Sequence, residues 1–551
     1  MTPDEMRRLA QEFYDWRDED DPVGSSDGGK HGWDDKLADR SPAAMAARTA
    51  KVTQLLARLR AADVSSWSKD DTVDWILLRA QLERASFAAR VLKPETQDPS
   101  VYVGEASNAI FSLLKKEYDA PRTRALAATA RLRAVPAMLE QGKRNLKAPV
   151  RLYAELAAQS ARAVDPLFQD SLMVLAKDLS AEERAALVKA RDDALVALHG
   201  FADWLDQRAP SLQPWRPMGE KAYDEYLAHA LLLPLTGREV AHLGEVELAR
   251  YRALEAMLRD PSLADPDPHR VAKVPADQQA FLAAYQSRET EMIQFLKDRK
   301  IVTIPDYIGP FLIKQLPEAF KPTSPGGFMN APGLYDRDAS GFYFIPTYNA
   351  ESKNFYLRAA IEDPRPILGH EGIPGHFLQI SIANHVKDEI RRQHGDGVFQ
   401  EGWALYGEEM LARQGLYPAD SAGAAQILRL ARYRAARIGV DVNLHTGRWT
   451  FPQAVDYFME AGGLDKESAT GEAAGAAVNP TQKIDYMTGK WQIMRLLGKY
   501  KDKQGASFRL GKFHDDLLAN GSLPLSVVAW LLLDDPSDLE KATGLKLAGK
   551  H

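Results

Sequence analysis

The sequence sets His370-Glu371 six residues ahead of His376 and places Glu401 25 residues further on, a group of side chains suited to holding a divalent metal and activating water. Two imidazoles and one carboxylate leave a zinc ion a fourth position for water, whose pKa falls, and for the carbonyl oxygen to be polarised. Glu371, adjacent to a ligand but pointing past it, is suited to take the water proton and hand it to a leaving amine. The chain has no cysteine, so any zinc must be held by His and carboxylate side chains, and His370, His376 and Glu401 are the candidates for one Zn2+. A surface His-Glu pair near an unrelated His in a Pro-Gly turn is the competing explanation of the same residues.

The elements that position these groups cannot be a single regular helix. Residues four apart share a helix face, whereas residues six apart point about 120° away from each other. Pro374-Gly375 falls where extra length is needed, and both residues disrupt helices, so a break is expected there that swings His376 back toward His370. Glu401-Gly402-Trp403-Ala404-Leu405-Tyr406 follows a turn at His394-Gly395-Asp396-Gly397, as a following antiparallel helix would require. Glu408 and Glu409 lie about two turns beyond Glu401; one of them could support a ligand from behind, or both could be solvated.

Further candidates lie downstream. Arg437, Asp441 and His445 are spaced four apart and stack along one helix face. His445 could act on a substrate oxyanion with Asp441 orienting it and Arg437 binding substrate, or the three could be a buried structural cluster. Tyr486 could donate a hydrogen bond to a tetrahedral intermediate, and Gln482, one turn earlier, shares its face. Upstream, Gly341-Phe342-Tyr343-Phe344-Ile345-Pro346 is the best strand candidate. Its edge could receive an extended substrate, with Tyr343 as a substrate-binding residue, or it could be a structural hairpin. His199, His229, His242 and His514 have no partner pattern and read as structural.

Most of the remaining chain has helical periodicity. Stretches such as Ala43 to Ala62, Val150 to Leu175 and Ala181 to Arg208 are rich in Ala, Leu, Arg and Glu, and helical patterns resume after residue 366. Ser180 and Thr236 precede Glu183 and Glu239 at capping-box spacing. Asp18 to Asp35 reads as a loop, residues 301–366 lose the helical period, and the end of the chain reads as a polar tail. The expectation is a mainly α fold with a small β element near the site. Residues 1–300 would form one side of a cleft and 301–551 the catalytic region with the zinc-binding helices, the two intertwined as one unit.

A formal net charge of −6 offers no field to gather phosphates, so nucleic acid is not an expected partner. No apolar run approaches the roughly 20 residues that span a bilayer. As written, the start lacks a signal peptide and points to the cytoplasm; a periplasmic or secreted location follows if a leader was removed. The oligomeric state is left open, a homodimer included.

The two central motifs resemble those of the bacterial DUF885 family. His370-Glu371-Gly372-Ile373-Pro374-Gly375-His376-Phe377-Leu378-Gln379 is similar to H-E-x-x-P-G-H-H-x-Q, and Glu401 to Tyr406 matches E-G-W-A-x-Y. Arg434 to His445 resembles R-x-x-R-x-x-x-D-x-x-x-H, and Pro480 to Gly489 resembles P-G-Q-A-x-x-Y-x-x-G. Leu37 to Pro42 is also family-like. The resemblance implies a helical layout related to gluzincin peptidases and a metallopeptidase or related amide-hydrolase activity on short peptides. Two departures stand out: Phe377 replaces a second His, and Gly475-Ala476 replaces a common Arg-Tyr pair. They keep a second reading open, hydrolysis of a non-peptide amide or ester. A third reading, from another class, is a catalytically silent protein that binds a small ligand.

Overall fold

The computed structural model describes residues 1–258, 274–316, 327–352, 354–417 and 422–547. The expected mainly α architecture is present. The chain opens with α1 (Pro3–Asp20), α2 (Pro42–Arg60) and α3 (Lys69–Phe87), followed by α4 (Ser100–Leu114), α5 (Pro121–Asn145), α6 (Arg151–Ala163) and α7 (Ala181–Arg208). Two further long helices, α8 (Gly237–Leu258) and α9 (Gln278–Arg299), lead to the sheet. Ser180 and Glu183 form the expected reciprocal cap at the start of α7, and Thr236 and Glu239 exchange the same pair of bonds before α8.

Three local expectations are corrected. The pattern from Val150 to Leu175 is not one helix: α6 ends at Ala163, and the chain passes Pro166 into the short turns Leu167–Ser171 and Leu172–Asp178. Proline has no N–H to continue the ladder. Asp18 to Asp35 is not all loop, because Asp21 caps a short helix at Pro22–Asp27. Near the C-terminus, Leu525–Leu533 forms an apolar helix with Val527, Val528 and Trp530 buried, where a continuous apolar run suits burial on every side.

The sheet has strand order β1-β3-β2, from β1 (Phe311–Gln315), β2 (Phe328–Asn330) and β3 (Gly341–Ile345). β1 pairs with β3 in parallel and β2 pairs with it antiparallel. β3 is therefore the central strand, and the open edge expected at Gly341 to Ile345 is already hydrogen-bonded on both sides. Its side chains alternate between two cores. Tyr343 and Ile345 join Phe311, Ile313, Leu368 and Phe377 in one, and Phe344 packs with Phe328 against the other, built by α4 to α7 around Leu132, Ala158 and Phe201. The first core also takes in Leu9, Leu55 and Leu77 from α1 to α3, so the boundary expected at residue 300 falls inside a core.

The helices after the sheet include α10 (Arg365–Glu371), α11 (His376–Ala383), α12 (Gly397–Arg413), α13 (Ala422–His445), α14 (Lys466–Val478) and α15 (Asp485–Gln504). A charge network ties three of the longer helices together. Glu409 of α12 accepts from Arg413 at 2.6 Å, Arg250 of α8 at 3.1 Å and Tyr251 at 2.6 Å, and pairs with Lys490 of α15. Burial alone would raise the carboxyl pKa, but the Lys490 ammonium and the surrounding donors outweigh it and hold it far below the usual range. A carboxyl lowered on folding contributes stability that is complete above its unfolded pKa of about 4.3 and is lost as pH falls through the folded value. Glu409→Gln is expected to cost about 3–5 kcal/mol at pH 7, because it leaves the buried Lys490 ammonium uncompensated. In denaturant titrations the gap to wild type should narrow below about pH 4; a gap independent of pH would refute this account.

Among the described residues, no helix is long and apolar enough to cross a membrane.

Candidate metal centre

The break between the two histidines is wider than Pro374-Gly375. α10 ends at Glu371, Gly372 and Gly375 take ψ values of −123° and −136° that are neither helical nor extended, and α11 starts at His376. A side chain on Gly375 would begin 1.9 Å from the carbonyl oxygen of His370, so the chain folds back directly onto the first histidine. Trp403, fully buried, donates its indole N–H to the Pro374 carbonyl at 2.8 Å. The Trp of the second motif thus holds the loop of the first.

This fold-back brings the histidines together. Their ring centres lie 4.7 Å apart at 87°, and Glu401 Oε2 sits 3.4 Å from His370 Nε2 and 3.2 Å from His376 Nε2. One donor atom from each residue falls within 4.8 Å of the others, a spacing that could hold a metal ion. Glu401 Oε2 is buried and lacks hydrogen-bond geometry to any partner among the described residues. An acceptor turned between two imidazole nitrogens without bonding either is what a shared cation would complete, so the residues fit a metal.

Glu408 distinguishes itself from Glu409. It is buried, and its Oε1 lies 2.8 Å from His370 Nδ1. A carboxylate on the far nitrogen fixes the tautomer and ring orientation and turns Nε2 toward the cluster. His370 is pushed up to about 10: burial opposes its charge, but Glu401 and Glu408 outweigh burial. Glu401 is held well below its usual range, since the two imidazoles overcome the burial that would raise it. Glu408→Ala is expected to weaken metal binding about 10- to 100-fold, measured by chelator competition on folded protein; unchanged affinity would remove Glu408 from this role.

Glu371 ends α10 beside His370, partly exposed, and among the described residues its carboxylate takes no hydrogen bond. Tyr486 faces the cluster, its ring 6.1 Å from that of His370 and nearly parallel to it. Gln482 Nε2 donates to the Tyr486 hydroxyl at 3.3 Å. Burial raises the phenol pKa despite the cations of Arg437 and Arg434 beside it, so the hydroxyl keeps its proton. The close crossing of α12 and α15 sets Tyr486 against Glu401. Gly402 and Gly489 meet there, and a side chain on Gly489 would begin 1.9 Å from the Val398 carbonyl oxygen.

Arg437 lies 4.6 Å from the Tyr486 ring centre and is paired with Glu472 at 2.9 Å. Glu472, on α14, also bonds Lys483 at 3.1 Å and Tyr356 at 2.9 Å. An Ala-rich helix gives no periodic cue to such a role. Lys483 lies with its Nζ 3.3 Å from where a side chain on Gly475 would begin, and burial, with Arg437 nearby, lowers it to about 8.

Four expectations are corrected here. His445 does not join the cluster. Its Nε2 bonds the Ala476 carbonyl at 2.8 Å, and its ring packs on Trp215 and Tyr223 beside a separate 540 Å³ cavity. Asp441 does not hold the His445 ring but accepts from Tyr223 Oη and the backbone N–H groups of Thr481 and Lys483. It anchors the turn that starts α15. Phe377 is not beside the donors; it is fully buried against Phe311. Tyr343 is also buried and packs on Tyr285. The negative charge of Glu371 acts on it, so it borders the site from beneath rather than lining an open groove.

Fold and site together define a helical protein with a candidate two-histidine, one-glutamate metal centre carried by a broken helix and the helix after it. The chain belongs to the DUF885 family, described as a bacterial protein of unknown function, whose model matches residues 22–532. Two solved structures share the fold. A lipoprotein candidate of unknown function from Shewanella oneidensis aligns with a TM-score of 0.77 at 22% identity, over 96% of this chain and 99% of its own. A lipoprotein candidate from Colwellia psychrerythraea aligns with a TM-score of 0.79 at 18% identity, over 96% and 98%. A comparison with curated proteins gives no match.

Proposed function

We propose that the chain is a zinc-dependent hydrolase of amide bonds in short peptides. The observation that carries this reading is the convergence of His370, His376 and Glu401 on one point, with Glu408 bonded to the far nitrogen of His370 and Glu371, next in the chain, free of hydrogen bonds among the described residues. Zinc held by two imidazoles and a carboxylate supplies Lewis acidity toward a water and a carbonyl oxygen. Glu371 accepts the proton of the attacking water and delivers it to the departing amine nitrogen. Tyr486, protonated and positioned by Gln482, donates a hydrogen bond to the oxygen on which negative charge grows. Tyr343 and Tyr285 are buried against each other, and the charge of Glu371 acts on both.

The burial of Phe377 and the presence of Lys483 beside Gly475 weaken the case for an ester or a non-peptide amide, because neither departure strips a polar group from the donors. The intact donor set argues against a silent binder. Metal analysis after zinc supplementation, followed by a panel of dipeptides, blocked peptides and acyl amino acids, tests the proposal. Stoichiometric zinc and chelator-sensitive turnover are expected; zinc well below one per chain, or no cleavage of any peptide by the loaded protein, would overturn it. The lipoprotein candidates of similar fold support a place in the cell envelope, where short peptides are available as substrates.

A further inference from the structure

Among the described residues, Arg434 presents a buried cation that makes no ion pair. The residue is 8% exposed, and its Nε and Nη1 are buried with no hydrogen bond among the described residues. Arg437, one turn along α13, shows the contrast, since Glu472 pairs with it. Glu408 is the carboxylate whose charge acts most strongly on Arg434, but its Oε1 is bonded to His370 and, among the described residues, it forms no ion pair with Arg434. The guanidinium carbon lies 4.9 Å from the Tyr486 ring centre, and the same ring stacks near His370. Arg434 therefore borders the metal centre.

Leaving a guanidinium dehydrated and unpaired is strongly unfavourable. Its planar fork of donors matches a carboxylate, which can take two parallel hydrogen bonds. We propose that Arg434 binds a carboxylate of the substrate next to the bond that is cut, so that preferred substrates are short peptides or N-acyl amino acids bearing a free carboxylate at that position. The inference rests on the hydrolase reading above and names its substrate class. A terminal carboxylate makes the enzyme carboxy-directed; an acidic side chain makes it selective for Asp or Glu.

The test compares three ligands on zinc-loaded wild type, Arg434→Met and Arg434→Lys: a dipeptide free acid, its C-terminal amide, and an amide with Glu beside the scissile bond. Wild type is expected to favour the free acid over the plain amide by about 10²-fold in kcat/KM, as a charged hydrogen-bonding partner would give. R434M should lose that preference with zinc affinity unchanged, and R434K, which keeps the charge without the fork, should retain part of it. Recovery of rate by the Glu-containing amide assigns the carboxylate to a side chain. Equal rates for all three in wild type, or equal losses for all three in R434M with weakened zinc binding, would overturn the proposal and leave Arg434 as a support for Glu408. Calorimetric binding of N-acetyl amino acids against their methylamides separates this from the hydrolase reading. Acid-selective binding abolished in R434M supports Arg434 even without turnover, and its absence in wild type refutes the carboxylate site even if peptides are cleaved.

Discussion

Glu371→Gln should lower turnover by about 10²–10⁴-fold, the usual contribution of a positioned general base, while leaving zinc affinity within a few fold of wild type. The separation follows from geometry. Glu371 is the last residue of α10, next to a donor but outside the donor cluster, so the amide fills the same space and removes only the ability to take a proton. Its freedom from hydrogen bonds among the described residues means that little else depends on its charge. Single-turnover assays beside chelator competition would measure both quantities. A variant that keeps more than about a tenth of wild-type turnover would deny Glu371 the role of base, since that loss is below the range such a group supplies.

Gly375→Ala should damage the centre without touching a polar atom. The added methyl would begin 1.9 Å from the His370 carbonyl oxygen and 2.4 Å from that of Gly369, both backbone groups that cannot swing aside. Overpacking of this kind costs about 1–3 kcal/mol, and relief requires moving His370 away from His376. Metal affinity is expected to fall about 10- to 100-fold, which is 1.4 kcal/mol per factor of ten. Gly471→Ala is the control. It lies inside a helix, α14, with nothing within 4 Å, and it should gain about 0.5–1 kcal/mol from lower backbone entropy in the unfolded chain. If both variants bind zinc like wild type, the fold-back at Gly375 is not what sets the donor geometry.

The chemistry-bearing part of the site was legible because it is local. His370, His376 and Glu401 lie within a short stretch, and their irregular spacing itself predicts the break that the structure places at Gly372 to Gly375. Rotation alone could not choose between Glu408 and Glu409, one residue apart; the choice depends on Lys490, Tyr251 and Arg250, which claim Glu409 from distant parts of the chain. Strand pairing is non-local as well, so Gly341 to Ile345 could be recognised as a strand without revealing that β1 and β2 flank it. His445 failed for a related reason. Spacing places it on a face with Arg437, but eight residues carry it about 12 Å along the helix, beyond the cluster and against Ala476. Arg434 had no periodic signal that set it apart, because what distinguishes it is the missing partner.

The position of Lys483 beside Gly475 has an evolutionary consequence. The family resemblance suggests an Arg at 475 and a small residue at 483; this chain carries the reverse pair, with the ammonium beside the place where the other side chain would start. Aligned column by column, the first position would register the loss of a cation and the second an unrelated gain. In this chain the positive charge is carried by the turn before α15 rather than by α14, and it pairs with Glu472 there. The two columns should therefore be inherited together, and a chain with both cations, or with neither, would mark a branch whose pocket has a different charge.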